Sequence, residues 1–170
     1  MDNQIQVPDF PGQAMIIESD DLQKREDALR MILTNIERIE RDFKGKNFRG
    51  EIELMTFVPE GLVAVTIGHK GRLIQRIKDE TGVSVVINQR VRGMTYRSTF
   101  ATGTPRSLAK ACGIMYNTIE EQAYLIKDWD KVKTESVSKE DIKLTAKFIV
   151  DTEACGFIIG RHGNFTKYLE

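Results

Sequence analysis

A four-residue stretch with a glycine at each end, Gly68-His69-Lys70-Gly71, lies between two segments that have a helical pattern. Glycine has no Cβ, and so it lets a backbone or a phosphate approach closely. Gly71 stands where the second helix is predicted to begin, and unpaired amides and the helix dipole favour an anion at that point. His69 and Lys70 would be donors at the tip. The stretch therefore predicts a tight turn between two helices, and its candidate ligand is a phosphate.

The apolar residues around this turn predict an order of elements. Their spacing gives a strand over 51–58, a short helix over 60–67, a helix over 72–81 that ends at Gly82, strands over 83–88 and 97–102, and a long helix that begins after Thr104. From residue 51 onward the order is strand, helix, helix, strand, strand, helix.

A further amphipathic helix is predicted over 20–43. Asp20 is its candidate cap, with Gln23 three residues later. The apolar stripe of this helix consists of Leu22, Leu29, Ile32, Ile36, Ile39 and Phe43. Such a stripe fits packing on the protein's own sheet, and it also fits pairing with a second surface.

Charge is distributed unevenly along the chain. The 170 residues include 25 basic and 25 acidic ones, and a net charge of zero does not by itself indicate a polyanion partner. Between residues 61 and 97, however, seven basic residues stand against two acidic ones, whereas 18–42 lean acidic. The positive charge is therefore local to the turn.

The cellular compartment is suggested by features that the sequence lacks. It has no apolar run of about 18 residues, and its first ten residues lack the basic-then-apolar order of a signal peptide. Cys112 and Cys155 form no CxxC pair. We therefore expect a soluble protein with no membrane association in a reducing compartment, the cytoplasm or else the nucleus.

The histidine and cysteine residues of the sequence do not form a catalytic or metal-binding motif. The two histidines, His69 and His162, and the two cysteines lack the spacing of a zinc site, and no motif marks a nucleophile. The turn is also shorter than the glycine loop of nucleotide-hydrolysing proteins. We expect no catalytic residues, no metal and no cofactor.

Two parts of the chain repeat parts of the predicted order. Within 144–170, Val150 corresponds to Val58, Ile159 to Ile67, Gly160 to Gly68 and Gly163 to Gly71. The stretch 14–37 is similar to 98–120, with Ala28 and Ile36 spaced as are Ala111 and Ile119. These repeats predict four regions. The first is an N-terminal helical region over 1–46, the tail of a preceding or degenerate unit, and the second is a complete unit over 51–126. A linker over 127–143 then leads to the first half of a second, truncated unit over 144–170.

The sequence VPEGLVAVTIGHKGRLIQRIKDETGVSVVI resembles the type I K homology (KH) domain, as found in tandem arrays of the poly(C)-binding and vigilin type. The positions in register with the family's pattern are Val58, Pro59, Ile67, Gly68, Gly71, Ile74, Ile77, Thr81, Gly82, Val85 and Ile87. Ala64 stands where the family often has glycine, and Thr66 where it often has isoleucine. The resemblance covers 51–126 fully and 144–170 as a first half. It implies an α+β fold, in which a three-stranded antiparallel sheet packs on helices.

The function implied by the resemblance is the binding of single-stranded RNA, or of single-stranded DNA, in post-transcriptional regulation. About four nucleotides would be clamped against the loop while an apolar groove reads the bases. Carried over by position, the clamp is Gly68, His69, Lys70, Gly71 and Arg72. The groove would be formed by Val63, Ala64, Ile67, Ile74, Val85 and Ile87, with Lys78, Arg90 and Arg92 beside it. A second loop would be Gly160, Arg161, His162 and Gly163.

Blander interpretations remain open for several of these residues. A core would also account for the apolar positions Ile67, Ile74, Val85 and Ile87, because this pattern buries them in any protein. Lys78 can equally be a solvated charge on the surface of its helix. KH units in arrays can also serve as packing surfaces, in which case the helix over 20–43 would pair with a protein partner or a second copy. Basic residues in both loops favour RNA binding over this scaffold role.

Overall fold

The computed structural model describes residues 12–90, 92, 96–123, 146–151 and 158–159. The helices and strands in chain order are β1 (Gly12–Ile17), α1 (Leu22–Lys44), β2 (Ile52–Pro59), α2 (Val63–Ile67), α3 (Arg72–Thr81), β3 (Val85–Ile87), β4 (Tyr96–Gly103), α4 (Pro105–Ala123) and β5 (Ala146–Asp151). Short 3-10 turns lie at Gly45–Asn47, Glu60–Leu62 and His69–Gly71.

Residues 52–123 form the unit predicted from the sequence. Strand β4 pairs antiparallel with β2 on one side and with β3 on the other. Helices α2, α3 and α4 follow in the predicted positions, and α3 has the predicted bounds. The expected α+β fold of type I order is confirmed.

Alternation along β2 explains which face of the sheet carries the helices. Ile52, Leu54, Thr56 and Val58 are buried and point to one face. The two polar groups at the centre of this face are satisfied, because the hydroxyl of Thr56 lies 2.5 Å from that of Thr99 on β4. The core therefore lies between this face and the helices.

Helix α1 is present, but its cap and its buried face differ from the prediction. The cap is Asp21 rather than Asp20, because the Asp21 carboxylate accepts hydrogen bonds from the amides of Gln23 and Lys24, at 2.8 and 3.3 Å. The two ends of the predicted stripe are exposed, Leu22 at 41% and Phe43 at 75%. The buried residues of the helix are Arg25, Leu29, Ile32 and Leu33.

The sheet is larger than the expected three strands. In the described part of the chain it has five, in the order β1-β5-β2-β4-β3, since β5 lies beside β2 and β1 pairs antiparallel with β5. The predicted linker over 127–143, and most of the predicted half unit over 144–170, lie outside the described residues. A search of the described helices finds none long and apolar enough to cross a membrane.

Candidate nucleic-acid interface

The backbone of the loop between α2 and α3 requires glycine at residue 68. Gly68 has φ +72° and ψ 167°, a combination that side chains rarely allow. A Cβ built there would also lie 2.8 Å from the backbone nitrogen of Leu73. The Gly68 amide donates to the carbonyl of Ala64 and ends α2, at 3.0 Å. Gly68 thus lets the two helices meet closely.

Two further residues of the loop, Lys70 and Gly71, also have positive φ angles. Gly71, with φ +80°, precedes α3, and the space around it would leave room for a Cβ. Lys70 has φ +54°, and it is the one residue other than glycine with positive φ in the part of the chain that the structure describes. Such a conformation costs a residue with a side chain roughly 1–2 kcal/mol. The fold accepts strain here, which is common where a loop serves a ligand.

The side chains at the loop are exposed and uncommitted. His69, Lys70 and Arg72 all face solvent. Within the described residues, no ion pair or side-chain hydrogen bond engages any of the three. Their donors are therefore available to a phosphate, next to the amino-terminal end of α3.

The acidic residues of α3 are occupied within their own helix. Arg76 donates to Glu80 at 2.6 Å, and Gln75 donates to Asp79 at 2.8 Å. The hydrogen bond from Arg76 holds the pKa of Glu80 below its usual value. Lys78, which the sequence placed beside the groove, is exposed. The charge of Glu80 is thus paired with Arg76 rather than with the loop cations.

An apolar strip accompanies the loop. Ile67, at the end of α2, is 37% exposed, and Ile74 on α3 is partly exposed. On β3, Val85 and Ile87 share one face, are partly buried and pack against the core from its edge. Helix α3 packs against this strand. The strip therefore offers apolar surface that is backed by the core but not sealed by it.

Val63 does not belong to this strip. The sequence placed it in the groove, but its side chain is only 5% exposed and belongs to the core. Val63 opens α2, and its helix packs down on β2 and α4. Ala64, the next residue, faces solvent as the groove assignment requires.

The departure from the family pattern at Thr66 does not alter the strip. Thr66 is fully buried, and its hydroxyl donates to the carbonyl of Leu62 one turn earlier, at 2.9 Å. A buried hydroxyl with a partner costs little. The position where isoleucine is frequent is thus a core position here, and it leaves the exposed residues unchanged.

An ion-pair cluster that the sequence did not predict lies at the other end of the strip. Arg97 donates two hydrogen bonds to Glu60, one from Nε at 3.2 Å, and Arg90 lies 3.8 Å from the same carboxylate. The sequence shows Arg97 only as part of the local positive charge, because its partner is 37 residues away. Of the two loop arginines proposed as contacts, Arg90 keeps most of its surface exposed and Arg92 faces solvent.

Other reactive groups lie away from this surface. The thiol of Cys112 is buried in the core, and burial raises its pKa to about 12. Tyr116 beside it is also buried, with its pKa raised, and its hydroxyl donates to the carbonyl of Phe57. Across the described residues, no group of three or more His, Cys, Asp and Glu side chains could hold a metal ion. The predicted second loop, Gly160, Arg161, His162 and Gly163, lies outside the described residues.

These features together define a class of protein. A strained basic loop joins two helices beside an apolar strip, on an antiparallel α+β scaffold, and this is the architecture of a module that binds single-stranded nucleic acid. The family model of the KH domain matches residues 53–117. The chain therefore contains a KH domain, of the type I order described above.

Two curated relatives support this assignment. Over 107 residues the chain is 28% identical to PAB1-binding protein 2 of Saccharomyces cerevisiae, a match that covers 63% of this chain and 24% of the relative. Over 64 residues it is 36% identical to far upstream element-binding protein 1 of Homo sapiens, covering 38% of this chain and 10% of the relative. The chain thus spans at most 24% of the length of these relatives. Nucleic-acid binding, and RNA binding in particular, is the general function that the family supports.

Proposed function

We propose that this protein binds single-stranded RNA through the loop of residues 68–72 and the apolar strip beside it. One observation carries the proposal. The loop has a strained backbone, and its cations have no partner among the described residues. Lys70 keeps a costly positive φ, and its ammonium group contributes to no ion pair within the described residues. A ligand that is itself anionic accounts for both features.

The geometry assigns different tasks to the loop and the strip. Phosphates would lie against the amides and cations of the loop, where the absence of a Cβ at Gly68 and Gly71 leaves the backbone accessible. Bases would then lie over Ile67, Ile74, Val85 and Ile87, which give apolar contact without fixing the sequence. Arg90 and Arg92 would contact the strand at the far end. No step in this mechanism requires catalysis or a cofactor.

A single module of this size binds weakly, because it contacts only about four nucleotides. The second glycine loop of the sequence, with Arg161 and His162 between its glycines, is proposed to add a second contact for the same strand. Two linked sites gain affinity through effective concentration, without any new contact.

The alternative role as a protein-interaction scaffold has less support. It relied on a free apolar stripe along the helix over 20–43, and the middle of that stripe is buried against the protein's own core through Leu29 and Ile32. The name of the yeast relative records binding of PAB1 by that protein. A protein partner for this chain is therefore the outcome to consider if RNA binding fails.

The test is fluorescence anisotropy of a labelled single-stranded RNA pool with the wild-type chain and with His69→Asp/Lys70→Asp. This variant replaces the tip of the loop with two carboxylates and keeps both glycines and the core. Aspartate also tolerates positive φ better than most residues, so the fold should be preserved. We expect a loss of affinity of at least about tenfold with an unchanged melting temperature.

The matched control is Lys46→Asp/Asn47→Asp. These residues are also adjacent and exposed, lie in a turn after α1, and give the same change in net charge. The control should bind as the wild type does. Equal loss in both variants would reduce the effect to net charge, and no binding by the wild type would refute the proposal. A DNA pool of the same composition, run in parallel, distinguishes RNA from DNA.

A further inference from the structure

Strands β1 and β5 reproduce the pairing of strands β4 and β2. By the sequence repeat, Val150 of β5 corresponds to Val58 of β2. The stretch 14–37 is one residue longer than 98–120, and with that extra residue placed between β1 and α1, Gln13 corresponds to Arg97 while Ala28 still corresponds to Ala111. In the structure Val58 is opposite Arg97, and Val150 is opposite Gln13. Both pairs of strands are antiparallel. The register within the terminal pair is therefore that of the complete KH unit.

Helix α1 reproduces helix α4 in its cap and in its buried face. The backbone carbonyl of the cap, Asp21 in α1 and Thr104 in α4, accepts from the amide four residues later, at 3.1 and 2.9 Å. Both cap side chains also accept from an amide of the first turn. The buried residues of α1 are Arg25, Leu29, Ile32 and Leu33, and the corresponding positions of α4 are Leu108, Cys112, Met115 and Tyr116, all buried.

Residues 158 and 159 repeat the burial pattern at the end of helix α2. Ile158 corresponds to Thr66, and both side chains are fully buried. Ile159 corresponds to Ile67, and these side chains are 43% and 37% exposed. Ile158 thus belongs to the common core of the described residues.

The complete unit and the terminal segments meet through like elements. Thr56 of β2 lies opposite Phe148 of β5, which is the residue that corresponds to Thr56 in the repeat. The two strands run antiparallel, and α1 packs against α4. Contact of each element with its own counterpart is the mark of an approximate two-fold axis.

We propose that β1 and α1 fold together with β5 and residues 158–159 as one split KH-type unit, with β5 and residues 158–159 in its first part and β1 and α1 in its last. This unit packs on the complete KH domain about an approximate two-fold axis that passes near Thr56 and Phe148. The order of parts along the chain is permuted relative to the complete unit. The sequence repeat instead assigned the two ends to different units.

The arrangement has a physical advantage for both units. Strand β2 would otherwise be an edge strand, and β5 lies beside it with Phe148 opposite Thr56. Strand β5 in turn is covered by β1. The terminal segments gain a common sheet and core that neither could form alone.

The test is disulfide trapping in the full chain with Cys155→Ser, in which Cys112 stays in place as a buried thiol. Two double variants place cysteines at opposite positions, Ile17→Cys/Ala146→Cys and Ile16→Cys/Lys147→Cys. Neighbouring pairs in an antiparallel ladder alternate in spacing, and both spacings fall in the range that a disulfide spans. The control, Ile17→Cys/Lys147→Cys, shifts one cysteine to the other face.

Under mild oxidation, with peptide mapping by mass spectrometry, we expect at least one in-register pair to close within one chain at least about tenfold faster than the control. Equal rates in all three variants, or closure in none, would overturn the proposal. Disulfides that link two chains in the same register would also overturn it, because β1 would then pair with β5 of a second copy. The readout uses no RNA, and so its result does not depend on the proposed function.

Discussion

The loop of residues 68–72 and the seam between α1 and α4 differ in whether their charged side chains are paired. In the loop, Lys70 and Arg72 are exposed and have no partner among the described residues. In the seam, Arg25 and Glu120 meet in a bidentate pair at 2.5 and 2.6 Å, with 10% and 20% of their side chains exposed. The loop keeps a strained backbone and unpaired cations at the surface, whereas the seam uses charge to join two elements.

This difference predicts which property each region controls. Substitutions in the seam should change the free energy of unfolding and leave RNA affinity intact, while most substitutions in the loop should do the reverse. Gly68 is the exception, because it lies in the loop but has no room for a Cβ against the backbone of Leu73.

Gly68→Ala should have the largest effect. The new Cβ would lie 2.8 Å from the backbone nitrogen of Leu73, which cannot move away as a flexible side chain could, and the backbone conformation is one that glycine alone adopts readily. We expect a loss of about 3 kcal/mol in the free energy of unfolding, together with lost RNA binding. Urea denaturation followed by circular dichroism measures the first.

Gly71→Ala is the control for that prediction. Gly71 also has positive φ, but no atom lies near the position of its Cβ. Its cost should be only the conformational one, about 1 kcal/mol. Equal losses for the two glycines would show that close approach to Leu73 contributes nothing.

Glu120→Gln should have the next largest effect. It removes one carboxylate that the mostly buried Arg25 contacts, and removing one partner of a buried pair is far more costly than removing an exposed pair. We expect a loss of about 2 kcal/mol, less than for a fully buried pair because Glu120 keeps some contact with solvent.

Asp27→Asn breaks the pair of Asp27 with Arg30 on the same helix, where both side chains are nearly half exposed. It should cost about 0.5 kcal/mol or less. RNA affinity should be unchanged in both variants. A large drop in affinity for Glu120→Gln would mean that the seam positions the binding surface, and the separation of the two regions would fail.

The sequence predicted the features whose cause is local. The bounds of α3 and the stop at Gly82 follow from helical spacing and from glycine's tolerance of positive φ, and Gly82 has φ +75°. Features with a distant cause could not be predicted. Arg25 is buried because Glu120, 95 residues away, meets it, and Val63 is buried because of how α2 packs on the sheet.

The same reasoning explains the partial success at the candidate site. The motif places Gly68, His69, Lys70 and Gly71 in one turn, because their spacing alone brings them together. The pairing of Glu60 with Arg97 needs β2 and β4 side by side, which no local pattern specifies. Asp20 and Asp21 are both good caps, and only the path of the chain selects Asp21.

Lys70→Asn should separate stability from binding within the loop. Asparagine adopts positive φ at lower cost than lysine, and so the variant should gain about 0.5 kcal/mol in the free energy of unfolding. It also removes a cation from the loop, and its RNA affinity should fall severalfold. Thermal unfolding and anisotropy on the same sample measure the two effects.

Lys46→Asn is the matched control, since Lys46 is exposed in a turn and has ordinary backbone angles. Neither quantity should change in it. If Lys70→Asn lowers the free energy of unfolding, the positive φ of Lys70 is not a source of strain. Backbone strain would then no longer support anion binding at the loop.

Gly113→Ala should also have a small effect on the free energy of unfolding, and the seam rather than the loop determines its sign. A glycine inside a helix costs about 1 kcal/mol relative to alanine, so the substitution favours α4. Against this, the new Cβ would lie 2.7 Å from Oε2 of Glu26 on α1. That oxygen is the free end of a flexible side chain beside a shallow crevice, and it can turn away. We therefore expect a net gain of about 0.5 kcal/mol in the free energy of unfolding.

The same substitution made in a Glu26→Ala background should give the full gain of about 1 kcal/mol. A net loss in the wild-type background alone would show that the seam holds Glu26 as firmly as it holds Arg25.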